Sequence, residues 1–254
     1  MGARLGQHFL HDPSILSRIA DAAAIGAGDL VLEIGPGKGS LTAQLAARAR
    51  RVVAIEADGR LAAALTESFA GRPVEIVRGD ALKVPWPTAD CVCGNIPYQI
   101  TSPLIERALQ PPRPRVVVFL VQREVADRLA APPGSRAYGA LSAGVQLVAV
   151  VERLFGVPRG AFRPAPQVES ALVRITPLQP APLDAGTERA TRALIRAAFQ
   201  RRRQQMRRTV AETAGLPRLA AEALLASVGV LPETRPEMLA PAQFVALAQA
   251  LARL

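Results

Sequence analysis

Leu32-Glu33-Ile34-Gly35-Pro36-Gly37-Lys38-Gly39-Ser40 follows an apolar run and puts glycines at three alternate positions, with an acid two residues before the first. Glycines let such a loop turn tightly and let a ligand approach backbone atoms that a Cβ would shield. Glu56 ends a second apolar run, 21 residues after Gly35, and Asp80 follows a third. The first distance suits a carboxylate that accepts from both hydroxyls of a ribose, and the second acid could accept from an adenine amino group. Asn95-Ile96-Pro97-Tyr98 closes a fourth run. Its Asn95 side-chain carbonyl and Pro97 backbone carbonyl are neutral acceptors for the two N–H bonds of a conjugated amine. Tyr98 offers an aromatic plane on which a base can stack. Held this way, the amine nitrogen moves toward tetrahedral geometry, so alkyl transfer to it needs positioning and electrostatics rather than a strong base. Each feature alone is equally a helix cap or a turn. Their recurrence at successive strand ends marks the rim where open α/β sheets bind ligands.

The elements that must position these groups are legible as alternation. Leu30–Ile34, Val52–Glu56, Val74–Val77, Cys91–Gly94 and Arg115–Gln122 read as short strands rich in Val and Ile. Between them, Ser40–Ala49, Arg60–Phe69 and Pro103–Leu109 have apolar residues at helical spacing. Alternation of this kind predicts a parallel, doubly wound sheet. Gly144–Phe155 and Val168–Thr176 read as late strands, and Pro132–Tyr138 as a mobile loop whose Tyr138 could touch a ligand. Pro177–Pro182 holds three prolines in six residues and reads as a linker. Beyond it, Thr187–Ala214, Leu216–Val228 and Pro241–Leu254 are Ala-, Leu- and Arg-rich with helical periodicity, which predicts an all-helical domain over 184–254.

The 254 residues are half hydrophobic, enough for a sizeable core and against general disorder. The longest apolar run, Val116–Val121, is strand-sized, so no membrane partner is expected, and a cytoplasmic protein is the default. Cys91 and Cys93 stand too close for a structural bridge and are too few for a zinc site. His8 and His11 have no acid or thiol cluster to complete a metal site, so no metal is expected. The formal net charge is +10, and 29 of the 31 basic residues are arginine. Residues 189–208 carry eight arginines and no acid. Such a block repels itself unless an anion neutralises it, and nucleic acid is the commonest such partner, although a solvated helix face looks the same in sequence.

Three nucleotide-loop patterns can be compared with 32–40. A phosphate-binding P-loop needs Ser or Thr after Gly37-Lys38 and Gly at the position of Leu32, which excludes it. A dinucleotide loop wants Gly where Ser40 stands, so the fit is poor. The remaining pattern, an acid two before alternating glycines, resembles motif I of S-adenosylmethionine-dependent methyltransferases. Asn95-Ile96-Pro97-Tyr98 resembles the Asn/Asp-Pro-Pro-Tyr signature of enzymes that methylate exocyclic amino groups.

With these in place, the chain resembles the small-subunit ribosomal RNA adenine N6-dimethyltransferase family (KsgA/RsmA type) nearly end to end. Gly6-Gln7-His8-Phe9-Leu10 is similar to the family's N-terminal Gly-Gln-Asn-Phe-Leu, with His8 in place of the usual Asn. Ile96, where this family usually has Leu, leans toward the related large-subunit enzymes of macrolide resistance. Val121–Leu129, Phe162–Ser170, Phe199–Arg203 and Arg235–Leu239 all resemble the small-subunit group instead.

The resemblance implies a class I methyltransferase fold, Rossmann-like and α/β, with a small all-helical C-terminal domain. It divides the chain into a catalytic domain at 1–180 and an RNA- or ribosome-binding domain at 181–254. It implies S-adenosylmethionine as cofactor and S-adenosylhomocysteine as product, held at His8, Leu10, Gly35, Gly37, Glu56, Asp80 and Asn95. The catalytic set it implies is Asn95, Pro97, Tyr98 and Phe162, the last placed against the target base. The implied reaction puts two methyl groups on N6 of each of two adjacent adenosines, in a hairpin loop near the 3′ end of small-subunit rRNA. Unpaired loop bases suit a site that splays and stacks them. Arg196, Arg201, Arg202, Arg203, Arg207 and Arg208 would grip phosphates of the small subunit or its assembly intermediate, with the protein acting as a monomer. Two other functions remain open on sequence: an assembly or transcription factor that keeps the fold without catalysis, and an oxidoreductase using the Gly35 loop.

Overall fold

The computed structural model describes residues 8–254, so Gly6 and Gln7 of the N-terminal pentad lie outside the described residues. In chain order the elements are β1 (Phe9–Leu10), α1 (Pro13–Ala22), β2 (Leu30–Ile34), α2 (Ser40–Ala46), β3 (Arg51–Glu56), α3 (Gly59–Ser68), β4 (Val74–Arg78) and β5 (Cys91–Asn95). There follow α4 (Thr101–Ala108), β6 (Val116–Gln122), α5 (Arg123–Leu129), α6 (Ala140–Gln146), β7 (Ala149–Val157), β8 (Phe162–Arg163) and β9 (Ser170–Pro177). Past this point the described elements are helical: α7 (Ala185–Gln200), α8 (Met206–Ala214), α9 (Arg218–Ser227) and α10 (Pro241–Leu251). The chain forms two compact units, one of the described residues up to Ala126 with Val151–Pro177, the other of Asp127–Val150 with Leu178–Leu254. The second unit thus takes in residues 127–150, which the boundary expected at 180/181 leaves with the first.

The first unit is built on a seven-stranded sheet of order β4-β3-β2-β5-β6-β9-β7. β4, β3, β2, β5 and β6 run parallel, and β9 returns antiparallel to β6. The chain winds outward from β2 to β4, then returns to lay β5 on the other side of β2. Open sheets bind ligands where winding reverses in this way, at the carboxyl ends of the two diverging strands. The glycine loop leaves β2 and the tetrad leaves β5, so the topology delivers both to that crevice. Parallel strands covered on both faces need unbroken apolar runs, which is why every residue of Val116–Val121 is buried. Val31, Cys91, Cys93, Val118 and Leu120 pack with Ile15, Leu16 and Ile19 of α1 and Leu41 and Leu45 of α2. Burial pushes both thiols up, Cys91 to about 12 and Cys93 well above its ordinary value, so neither is a nucleophile.

The second unit corrects three expectations. The strand expected at Gly144–Phe155 begins only at Ala149, because its first three residues end α6. Ser142 and Gln146 tie that helix to the preceding turn by donating to the carbonyls of Arg128, Leu129 and Ala131. The helix expected at Thr187–Ala214 is broken after Gln200 and restarts at Met206. The restart is fixed from outside: the first amides of α8, which lack partners within the helix, donate to the carbonyls of Thr234 (Met206 N, 2.8 Å) and Pro232 (Arg207 N, 3.0 Å). Tyr138, expected in a mobile loop and free to touch a ligand, is wholly buried. Its hydroxyl donates to the Leu239 carbonyl at 3.0 Å, its ring meets Phe199 edge-on, and burial pushes the phenol up to about 12.

Candidate active site

Gly35 and Gly37 open the site, with φ of +69° and +60°, in the left-handed region that side chains rarely adopt. A Cβ on Gly35 would lie 3.6 Å from the Asn95 carbonyl and 3.9 Å from the Pro97 ring, so the loop runs directly beside the tetrad. A Cβ on Gly37 would lie 2.9 Å from the Phe9 ring, which the short antiparallel pair β1–β8 lays over the loop. Lys38 Nζ stands 4.9 Å from the centroid of the same ring.

Glu56 is only 4 % exposed. Its Oε2 accepts from the Gly37 amide at 3.0 Å and its Oε1 from the Asp58 amide at 2.9 Å. These bonds hold the carboxylate rigid and leave each oxygen a further lone pair. Asp80 is half-exposed at the end of β4; its Oδ1 accepts from the Leu82 amide at 2.9 Å, while Oδ2 has only the Lys83 ammonium, 3.9 Å away. The turn-capping reading of Asp80 therefore holds for one oxygen, and the other is available.

Asn95 Nδ2 donates to the His8 carbonyl at 2.9 Å. A carbonyl can only accept, so this bond fixes the amide's orientation and turns Oδ1 into the free acceptor. The Pro97 carbonyl, expected as the second acceptor, already takes the Ile100 amide at 3.1 Å, and the Thr101 hydroxyl lies 3.3 Å from both it and the Tyr98 carbonyl. Among the described residues the Ile96 carbonyl has no such partner, which makes it the freer acceptor of the two. Tyr98 is half-buried, with its hydroxyl 2.9 Å from Ser170 Oγ and its ring stacked at 6.0 Å on His8. His8 Nδ1 lies 2.8 Å from the Pro164 carbonyl, so that nitrogen is the donor.

Two expected residues are placed otherwise. Phe162 is 2 % exposed and packs among Leu10, Ile15 and Leu172, so it has no face for a base. Pairing with Leu10 across β1–β8 turns its side chain into the core, while Arg163 points out. Leu10 is buried in the same cluster, which leaves only its backbone for a ligand.

The acid that precedes the loop enters the sequence reading only as part of the glycine-loop pattern, and the burial exposes its character. Glu33 is 1 % exposed and its Oε2 makes no hydrogen bond. Burial pushes its carboxyl up to about 8, with the Glu56 charge adding to the rise and Thr42 opposing it. Ser170, too, carried no signal beyond its place in a family-like stretch. Trp86 packs its loop: Nε1 donates to the Ala81 carbonyl at 2.8 Å and Arg107 lies over the ring at 4.8 Å.

In the second unit the arginine block is not left unneutralised. Arg192 pairs with Glu188, Arg201 and Arg208 with Glu212, Arg207 with Glu222, and Arg202 stands 3.9 Å from Glu237. Arg189, Arg196 and Arg203 are exposed and in no ion pair among the described residues. No helix there is long and apolar enough to cross a membrane, and no three His, Cys, Asp or Glu side chains group to hold a metal ion among the described residues.

Comparison with known proteins identifies the family and the fold. The family model of ribosomal RNA adenine dimethylase matches residues 2–253. Ribosomal RNA small subunit methyltransferase A of Gloeobacter violaceus is 43 % identical over 256 residues, covering 98 % of this chain and 93 % of that protein. A dimethyladenosine transferase of Candida glabrata is 47 % identical over 183 residues, covering 70 % of this chain and 58 % of its own. Among solved structures, a dimethyladenosine transferase from Plasmodium falciparum superposes with a TM-score of 0.84 at 28 % identity, over 94 % of this chain and 96 % of that one. The 23S rRNA methyltransferase ErmE follows at 0.77 and 29 %, over 96 % and 99 %. The fold is that of class I methyltransferases with a helical C-terminal part, and the chain belongs to the ribosomal RNA adenine dimethylase family.

Proposed function

We propose that this protein is an S-adenosylmethionine-dependent dimethyltransferase acting on N6 of two adjacent adenosines in a hairpin loop near the 3′ end of small-subunit rRNA. The observation that carries the reading is the Asn95 amide, whose orientation the His8 carbonyl fixes so that Oδ1 can only accept. A base bearing an exocyclic amine is what such an acceptor, beside an aromatic ring, recognises.

The residues present fit the cofactor. A glycine cradle that a Cβ would fill, a rigid buried carboxylate at Glu56 and a buried Glu33 carboxyl with one oxygen free of hydrogen bonds suit a ligand with an adenosine and a cationic amino acid. Glu56 would take the ribose hydroxyls and Asp80 Oδ2 the adenine amino group. When bound, S-adenosylmethionine supplies a methyl group made electrophilic by its sulfonium. No metal enters the proposal.

The protein's own part is positioning. Asn95 Oδ1 and the Ile96 carbonyl would take the two N–H bonds of the target amine, in place of the Pro97 carbonyl. Tyr98 would hold the base in plane. The attacked nitrogen gains positive charge and sheds a proton readily to water, so a neutral amide suffices. Phe162 has no part in this scheme. Arg189, Arg196 and Arg203 would hold RNA phosphates without reading sequence. The partner would be the small ribosomal subunit or an assembly intermediate, met by a monomer in the cytoplasm.

Labelled S-adenosylmethionine incubated with undermethylated small subunits should leave N6,N6-dimethyladenosine in the small-subunit RNA. Label found only in large-subunit RNA would overturn the substrate assignment.

A further inference from the structure

We propose that Ser170 is a positioning residue for methyl transfer, acting by pinning the ring of Tyr98. The inference rests on the reading of Tyr98 as the platform for the target base. A platform works only if its plane is fixed, because a misdirected amine loses its alignment with the methyl group. Tyr98 stands at the start of a short 3-10 turn (98–100) and is half-buried, with His8 stacked on its ring at 6.0 Å. The far end of the ring is held by its hydroxyl, 2.9 Å from Ser170 Oγ.

Ser170 is 1 % exposed and is the first residue of β9, opposite Gln122 of β6. Its neighbour Glu169 is fastened to the chain leaving β6, with the Arg123 amide donating to the Glu169 carbonyl at 3.0 Å and the two side chains paired at 2.7 Å. The serine hydroxyl is thus carried by the sheet itself. It ties a tetrad residue after β5 to a strand 72 residues later, and no other hydrogen bond of the Tyr98 side chain is present among the described residues.

The tilt of a stacked base matters most when the amine is already methylated, because the first methyl replaces one N–H and leaves a single acceptor to orient the nitrogen. Loosening the ring should therefore slow the second transfer more than the first. Ser170→Ala and Tyr98→Phe each remove the bond while keeping the buried shapes. Each should lower kcat for the second methylation about tenfold, with the KM for RNA and the cofactor affinity within about twofold, on the scale of one lost neutral hydrogen bond. The N6-monomethyl to dimethyl ratio in early product should rise accordingly, and the double variant should be no worse than either single one. Ser170→Thr, which keeps the hydroxyl, should restore much of the ratio. The idea is overturned if Ser170→Ala leaves the product ratio at the wild-type value, if the two substitutions add, or if Ser170→Ala lowers Tm and both methylations alike. A wild-type protein that forms no dimethyladenosine at all would instead refute the function on which the inference rests.

Discussion

At the carboxyl ends of β3 and β4, Glu56 and Asp80 take their hydrogen bonds from the backbone amides of Gly37, Asp58 and Leu82. In residues 189–208 the arginines are met by side-chain carboxylates that arrive from Glu188, Glu212, Glu222 and Glu237. The first arrangement is stiff, since a backbone amide cannot swing away and Glu56 is almost wholly out of water. The second is exchangeable where it is exposed, the Arg192–Glu188 pair being largely buried. Arg208 and its partner Glu212 are 67 % and 35 % exposed, and ion pairs in that setting contribute little. A site for one small ligand gains from rigidity, because the entropy of ordering is met on folding. A surface for a polyanion gains from side chains that change partners at small cost, since phosphates need only be neutralised, not read.

Four variants bear on this contrast. The largest effect belongs to the rim. Asn95→Ala should lower methyl transfer by roughly a thousandfold, the scale of losing a preorganised donor or acceptor at the reacting centre. RNA affinity, measured by filter binding, should stay within about twofold. Equal losses in both would mean that the two regions do not divide the work.

Next comes Glu33. Its carboxyl stands at about 8 when folded, against an ordinary 4.5, so the folded chain keeps a proton that the unfolded chain releases. Stability without cofactor should fall as pH rises through that window and level off above it. Glu33→Gln removes the titration and keeps the shape. It should gain on the wild type by roughly 3 kcal/mol between pH 5 and 8 in urea melts. The same pH dependence in both proteins would place the buried charge elsewhere.

In the second unit, replacing Arg189, Arg196 and Arg203 together by alanine should weaken RNA binding by about tenfold to a hundredfold at moderate salt. The dependence of log K on log salt should become shallower by about 0.7–0.9 for each phosphate that is no longer neutralised. Catalysis at saturating RNA should be nearly unchanged. The smallest effect is expected at Glu212→Gln, which frees Arg201 and Arg208. RNA affinity should rise a few-fold while stability changes by less than about 1 kcal/mol, checked by a thermal melt. If affinity fell instead, the internal pairs would be organising the surface rather than competing with RNA.

Much of the rim was legible because its signals are local. Gly35 and Gly37 sit where the backbone needs positive φ, and Glu56 and Asp80 end strands whose apolar runs are plain in the sequence. Asn95 and Tyr98 belong to a four-residue pattern, and the topology brought it beside the glycine loop. What failed to read was anything that depends on which way a side chain turns or who meets it from afar. Phe162 sits in a suggestive loop, yet its pairing with Leu10 turns it inward. Tyr138 lies among turn-formers, yet Leu239, about a hundred residues on, accepts its hydroxyl. The Pro97 carbonyl looked free until the turn after it closed on Ile100 and Thr101.

The sequence by itself determined the alternation of strands and helices, the positions of the glycine turn and its acids, and the excess of arginine. These depend on periodicity, on allowed φ and on composition, all properties of neighbouring residues. Only the tertiary structure decided which way the Asn95 amide is turned, that Ser170 meets the Tyr98 hydroxyl, that one oxygen of Glu33 is buried without a hydrogen bond, and which arginines stay out of ion pairs. Each of those is set by a group tens of residues away or by exclusion of water, and neither distance in space nor solvent access is written in the order of residues.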